Sequence, residues 1–229
     1  MNNMNNLRKP SEIILNNGKT LEEVLELHKK WLNNEEGGEK ANLSREYLSY
    51  VDLSCTNLIG VDLSHSDLTE ANLIGTNLSE ADLTEANLEY ANLSHSNLSK
   101  ANLTEANLTE ANLTEADLTE ADLDYANLSK ANLSKADLTE ANLSEANFYL
   151  TNLYKVKGNF VGVENIGSRN DTTHYFYKDD RVICGCFDGS MKQFEEKVKE
   201  AYKEDEVEYK EYMIAIRTLK ELAELYMNN

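Results

Sequence analysis

The stretch that decides the fold is "ANLTEANLTEANLTEADLTEADL", residues 101–123, in which nearly the same five residues are written out five times. A helix brings side chains back to one face every 3.6 residues and a strand every second residue. At about 100° per residue, five residues advance about 140°, so leucines five apart would scatter round a helix and leave no apolar stripe. Along one straight strand, an odd period puts alternate leucines on opposite faces. Neither element buries them all. What remains is a chain that turns by a constant angle every fifth residue, aiming each Leu at a common axis and stacking each coil on the one before.

Working outward, the register holds without a skip through 23 consecutive units centred on residues 43 to 153, with Leu at 22 centres and Phe148 at the other. Two positions before the centre, Ala occupies 15 of the 23 sites, and the exceptions are small or β-branched apart from Glu46. That site is tight and points inward. The residue just before the centre is Asn or Asp in 22 units, Tyr47 being the exception. The two after it, mainly Ser or Thr and then Glu, Lys, Tyr or His, are expected to face water.

The A-(N/D)-L-x-x unit resembles that of the pentapeptide repeat proteins, over residues 41–155. The resemblance implies a mainly β fold, a right-handed quadrilateral β-helix in which four units form the four sides of one coil. Here that gives nearly six coils, and at the spacing of neighbouring strands, ~4.8 Å, a rod on the order of 27 Å long. The resemblance also implies one candidate role, imitation of DNA, because the family includes quinolone-resistance members whose acidic rods resemble DNA and bind type II topoisomerases.

Four units to a coil sort charge by side. The flank of Leu43, Leu63 and their successors carries Asp62, Asp82, Glu85, Glu105, Asp122, Asp124 and Glu145 against Arg45 alone, and is the candidate interaction face. The flank of Leu53 and its successors is neutral, Asp52 and Glu115 being balanced by Lys135 and Lys155. The other two are each moderately acidic. His65 and His95, one and a half coils apart, fall on opposite sides and cannot share a metal. Tyr50 and Tyr90 share a side, and exposed tyrosines can anchor a partner.

Three regions are expected: an N-terminal segment 1–39 with a capping helix, the repeat rod 40–155, and a C-terminal α/β module 156–229. Residues 19–35 read as an amphipathic helix opened by a Thr20–Glu23 capping box, with Leu21, Val24, Leu25, His28, Trp31 and Leu32 in one stripe, ended by Gly37-Gly38 and preceded by a frayed 1–10. In the C-terminal module, which resembles an uncharacterised module seen on bacterial and phage proteins, THYFYK and RVICGCF predict a β-hairpin turning at Asp179-Asp180. That turn would pair Tyr175 with Cys184 and set His174 on the face away from the cysteines. Two helices follow, from 188–190 to about 203 and over 206–227. In the second, Tyr209, Tyr212, Ile216, Leu219, Ala223 and Tyr226 form a seam that packs on the hairpin or pairs with a second chain. Ser168, Arg169, Asn170 and Asp171 are a candidate binding loop whose bland alternative is a turn.

The bulk numbers bound the function. The chain has 229 residues, with 22 basic against 41 acidic and a net charge of -19, so direct binding to nucleic acid or an anionic membrane is disfavoured and a partner with a basic surface is favoured. No apolar stretch approaches the roughly 20 residues of a membrane span, MNNMNNLRKP has no apolar signal core, and three cysteines fit free thiols in the cytoplasm. No nucleophile with its base, phosphate loop or metal-helix motif is present, so no catalytic residue, cofactor or metal is assigned. The expectation is a non-enzymatic scaffold or protein–protein interaction rod, monomeric or dimeric through its C-terminal module. The alternative is a DNA-mimic inhibitor or protector of a type II topoisomerase or other DNA-binding enzyme.

Overall fold

The computed structural model describes residues 7–158, 160–166, 171–177, 180–184 and 187–227, giving the backbone only at 161, 163–166, 171, 172 and 226. The chain divides into two compact units, residues 1–158 and 159–229.

In the first unit the chain closes one coil with every four repeats: Asn87 pairs in parallel with Asn107, Asn107 with Asn127 and Asn127 with Asn147, and the same holds on the other three sides. A single repeat shows why. Ala106 N–H donates to Leu103 O across the corner at 3.0 Å, while Asn107 N–H reaches Ala86 O at 2.9 Å in the preceding coil. Leu108 and Glu110 N–H donate into the following coil, to Asn127 O at 2.8 Å and Ser129 O at 3.0 Å. The remaining amide, Thr109 N–H, sits in the turn with no carbonyl to meet and donates to Asn107 Oδ1 at 3.2 Å. All five amides are satisfied, as a buried backbone requires. The Asn or Asp before each centre is there because the turn needs a side-chain acceptor two residues back.

Each corner is a turn with its third residue left-handed, φ between 52° and 67° at all 23 corners, and only Gly60 and Gly75 meet that demand without a Cβ penalty. Elsewhere a residue with a side chain, most often Glu or Lys, adopts it at a cost on the order of 1 kcal/mol each, offset by the inter-coil bond from the same residue's N–H. Inside, the leucine centres from Leu43 to Leu133 are 0% exposed. Each contributes roughly 1.5–3 kcal/mol. At buried polar inward sites the hydroxyl is used: Ser66 donates to Leu63 O at 2.7 Å and Thr76 to Leu53 O at 2.8 Å.

The first coil is capped rather than open, as an unpaired strand edge must be. Arg8 pairs with Val51, its N–H donating to Tyr50 O and its carbonyl accepting from Asp52, so the expected fraying does not extend to residues 7–10. Ile13 and Leu15 are buried beneath a helix, α1, Leu21–Leu32, opened by the Thr20–Glu23 capping box. Leu21, Val24 and His28 are buried, while Trp31 stays 39% exposed. The helix stops short of the expected 35, and Gly38 passes so near the main chain of Trp31 that a Cβ there would collide with it. At the other end inter-coil pairing continues past 155: β1 (Asp137–Leu138) pairs in parallel with β2 (Lys157–Gly158).

The second unit contains β3 (Phe160–Ile166), β4 (Asp171–Phe176), β5 (Arg181–Cys184) and β6 (Phe187–Ser190), in antiparallel order β3-β4-β5-β6, then α2 (Met191–Ala201) and α3 (Val207–Met227). The expected hairpin is therefore the middle of a four-stranded sheet. Its register also differs: Thr173, not Tyr175, lies opposite Cys184, because four residues, 177–180, separate the paired strands. The two helices form where expected, α2 capped by Ser190. Tyr212, Ile216, Leu219 and Ala223 of α3 pack with Val182, Cys184, Phe194 and Val198, so the seam is spent inside its own module.

Candidate functional site

The acidic flank is built from two kinds of position. Asn42, Asp62, Asp82, Asn102, Asp122 and Asn142 stack in one column of inter-coil pairs, and their side chains cap turns. Asp62 Oδ1 accepts Ser64 N–H at 3.0 Å and its hydroxyl at 2.7 Å, and Asp82 does the same for Thr84. Asp122 accepts Asp124 N–H at 3.1 Å and Asn142 Nδ2 at 2.8 Å. All three are half-buried. Glu85, Glu105 and Glu145 occupy corners and are exposed, and half-buried Asp124 sits just before one.

Thus the seven acids do share one flank, but in two layers. Glu85 also faces His65 at 3.3 Å. Among the described residues, Glu105, Asp124 and Glu145 have no cationic partner within ion-pair range.

That His65–Glu85 contact belongs to a pattern the sequence reading missed: an acid and a basic side chain on neighbouring coils meet across one coil step. Lys130 reaches Glu110 at 3.0 Å, Lys100 reaches Glu120 at 3.7 Å, and Lys157 reaches Asp137 at 3.4 Å. Glu115 is held between Lys135 at 2.7 Å and His95 at 3.3 Å. The Lys135 ammonium, first by hydrogen bond and then by charge, lowers the Glu115 carboxyl below its ordinary value, and Glu115 raises Lys135 in return. The signal was available: the coil period had only to be applied to charges of both signs. His65 and His95 therefore each stand beside an acid.

The candidate loop residues Ser168, Arg169 and Asn170 lie outside the described residues, as does Cys186. Asp171 is placed by its backbone alone, at the start of β4 opposite Ile166. His174 lies opposite Ile183 while Thr173 lies opposite Cys184, so His174 and Cys184 occupy opposite faces of the sheet. Thr173 Oγ1 donates to Cys184 Sγ at 2.9 Å in the core. No helix among the described residues is long and apolar enough to cross a membrane.

Residues 62–99, 86–124 and 116–154 each match the family model described as pentapeptide repeats (8 copies). Similar solved structures include a pentapeptide repeat protein of the Arabidopsis thaliana thylakoid lumen, 35% identical, with 42% of this chain and 66% of that one covered and a TM-score of 0.41. HetL of Nostoc sp. strain PCC 7120, a pentapeptide repeat protein involved in heterocyst differentiation regulation, is 30% identical over 51% of this chain and 71% of its own, with a TM-score of 0.18. Full-length QnrB1, a plasmid-mediated fluoroquinolone resistance protein, is 25% identical over 52% and 66%, with a TM-score of 0.35. The chain thus spans just under two thirds of the Arabidopsis and QnrB1 structures. No curated protein sequence matches it.

Proposed function

The chain belongs to the pentapeptide repeat family, and from that premise we propose that its rod is a non-enzymatic scaffold for protein–protein interaction, engaging a protein with a basic surface. The observation that carries this reading is the division of labour within each repeat. Inward positions are spent on a leucine-filled interior and the Asn or Asp on its own turn, which leaves the corner residues, mostly exposed and one coil step apart, as the positions whose side chains the interior does not dictate. A rigid rod with freely chosen corner columns suits recognition, since ordering it on binding costs little entropy.

Charge mimicry of duplex DNA, acting on a type II topoisomerase, is the second reading, favoured by the net charge of -19. Two features weigh against it. Asp62, Asp82 and Asp122 of the most acidic flank are tied down as turn acceptors. The rod, on the order of 27 Å, matches only ~8 base-pair steps of ~3.4 Å. A gyrase supercoiling assay with the full chain separates the two. Under the interaction-rod reading supercoiling is unaffected at tens of micromolar, roughly the regime of weak non-specific contacts. Salt-sensitive inhibition, relieved by Glu85→Gln with Glu105→Gln and Asp124→Asn, would establish mimicry instead. The exposed thiol of Cys55 is in no disulfide, which agrees with the cytoplasmic setting we propose.

A further inference from the structure

The flank of Leu48, Leu68, Leu88, Leu108, Leu128 and Phe148 differs from the other three in carrying aromatic rings along its length. Tyr47 is 73% exposed, Tyr50 39%, Tyr90 40% and Tyr149 51%, and Leu150 beside Tyr149 is 56% exposed. By contrast the seven-acid flank bears one exposed tyrosine, Tyr125. A ring at a solvated corner buries little and adds no solubilising charge, while Tyr50 and Tyr90 must also hold φ at 60° and 59°, a region that bulky residues rarely adopt. The rod's interior does not call for them, and they stay largely open to solvent at positions whose backbone disfavours a ring.

Acids alternate with them. Read up the corner column, the order is Tyr50, Glu70, Tyr90, Glu110, with Tyr50 Oη donating to Glu70 at 2.8 Å and Lys130 closing the column on Glu110. Successive members are one coil step apart, ~4.8 Å, so a planar cation stacked on one ring lies within reach of the next carboxylate. Arginine fits both halves of that arrangement. Its guanidinium stacks on aromatic faces and forks to carboxylates, whereas lysine offers a compact, strongly hydrated point charge. Tyr50 and Tyr90 stand two coils apart, ~10 Å, which an extended chain covers in about three residues.

We infer that the Tyr50–Tyr90 flank is the docking surface of the rod, and that its occupant is an extended, arginine-rich polypeptide segment of a partner protein. The inference rests on the interaction-rod reading and names the face and the chemistry that reading leaves open.

The test titrates two synthetic peptides of equal length and charge, one of arginine and one of lysine, into the full chain by calorimetry at low and high salt. The arginine peptide is expected to bind more tightly than the lysine peptide. Its affinity should fall on the order of tenfold in the Tyr50→Ala, Tyr90→Ala double variant and be retained in Tyr50→Phe, Tyr90→Phe, which keeps the rings. Thermal melting of each variant identifies any loss due to unfolding. Equal binding of the two peptides, indifference to removal of both rings, or no binding overturns the inference. If binding is lost in Glu105→Gln, Glu145→Gln and not in the alanine double variant, the basic partner docks on the seven-acid flank. The interaction-rod reading then stands and only this face is wrong.

Discussion

Asn107 Oδ1 lies 3.2 Å from Thr109 N and 2.6 Å from Thr109 Oγ1, and Asn107 Nδ2 donates to Asn87 Oδ1 one coil earlier at 3.0 Å. One side chain thus closes its own turn and ties two coils together. Replacing it with alanine leaves a half-buried amide without an acceptor, a loss of about 1–3 kcal/mol. Asn107→Asp keeps the turn acceptor, loses the bond to Asn87 and sets a carboxylate oxygen against Asn87 Oδ1, so it should cost less than the alanine variant without being neutral. Urea unfolding of the full chain, compared with Thr109→Ala, measures the order.

Glu46, the one charged residue at an inward site, is 8% exposed and accepts Asn16 N–H with both carboxylate oxygens, at 3.0 and 3.1 Å. It fastens the N-terminal cap to the first coil. Glu46→Ala should release the segment before α1, destabilising it by about 1–3 kcal/mol. Limited proteolysis should then cut within residues 7–20 in the variant before it cuts the wild type.

Two groups set the pH response. His28, 0% exposed, accepts Ala41 N–H at Nδ1 at 3.1 Å, and burial, aided by Lys40, lowers its pKa. The folded state therefore resists a proton that the unfolded chain takes up near the ordinary value of 6.5. The stability His28 contributes is complete above that value and lost as pH falls from it toward the lower folded pKa. In the second unit Glu195 binds Lys199 at 2.7 Å and Lys220 at 2.9 Å, joining α2 to α3. Hydrogen bonds from these two lysines lower its pKa from 4.5 to about 2. Its contribution is present above 4.5 and lost as pH falls through about 2. Side-chain NMR titration should find Glu195 still ionised well below the ordinary carboxyl value of 4.5, and His28→Gln should flatten the decline in melting temperature below neutrality.

The corners make a prediction of opposite sign. Glu80 holds φ at 58°, and Glu80→Gly removes the Cβ that resists it, so stability should be unchanged or rise by up to about 1 kcal/mol. Gly75→Val puts a β-branched residue at φ 62° and should cost at least that much. Parallel thermal melts check the pair, and matching signs would contradict the corner geometry.

The five-residue period carried the rod because it is a global constraint: only a chain cornering at each repeat buries both Leu108 and Leu113. Thr20 with Glu23, and Ser190 before Met191, were legible because caps are local chemistry. The function of Asn107 was not, since its partner is a main-chain N–H that no side-chain pattern reveals. In the second unit Asp188–Ser190 reads as a helix start from its Asp, Gly and Ser, yet with Phe187 it pairs as a strand with Arg181–Cys184, tertiary pairing overriding local preference. The contrast between flanks was visible for the acids. The commitment of Asp62 and Asp82 to their own turns was not.

Every assignment of residues to flanks depends on the coil returning to the same side at each fourth repeat, and engineered cysteine pairs test that directly. With Cys55, Cys184 and Cys186 changed to serine, Glu85→Cys with Glu105→Cys places two thiols on adjacent coils, ~4.8 Å apart, within the Cα separation of roughly 4.4–6.8 Å that a disulfide tolerates. Glu85→Cys with His95→Cys puts them half a coil apart, on opposite flanks. The first pair should oxidise rapidly within one molecule and the second not at all. Oxidation of the second pair with the first left reduced would contradict the four-repeat coil.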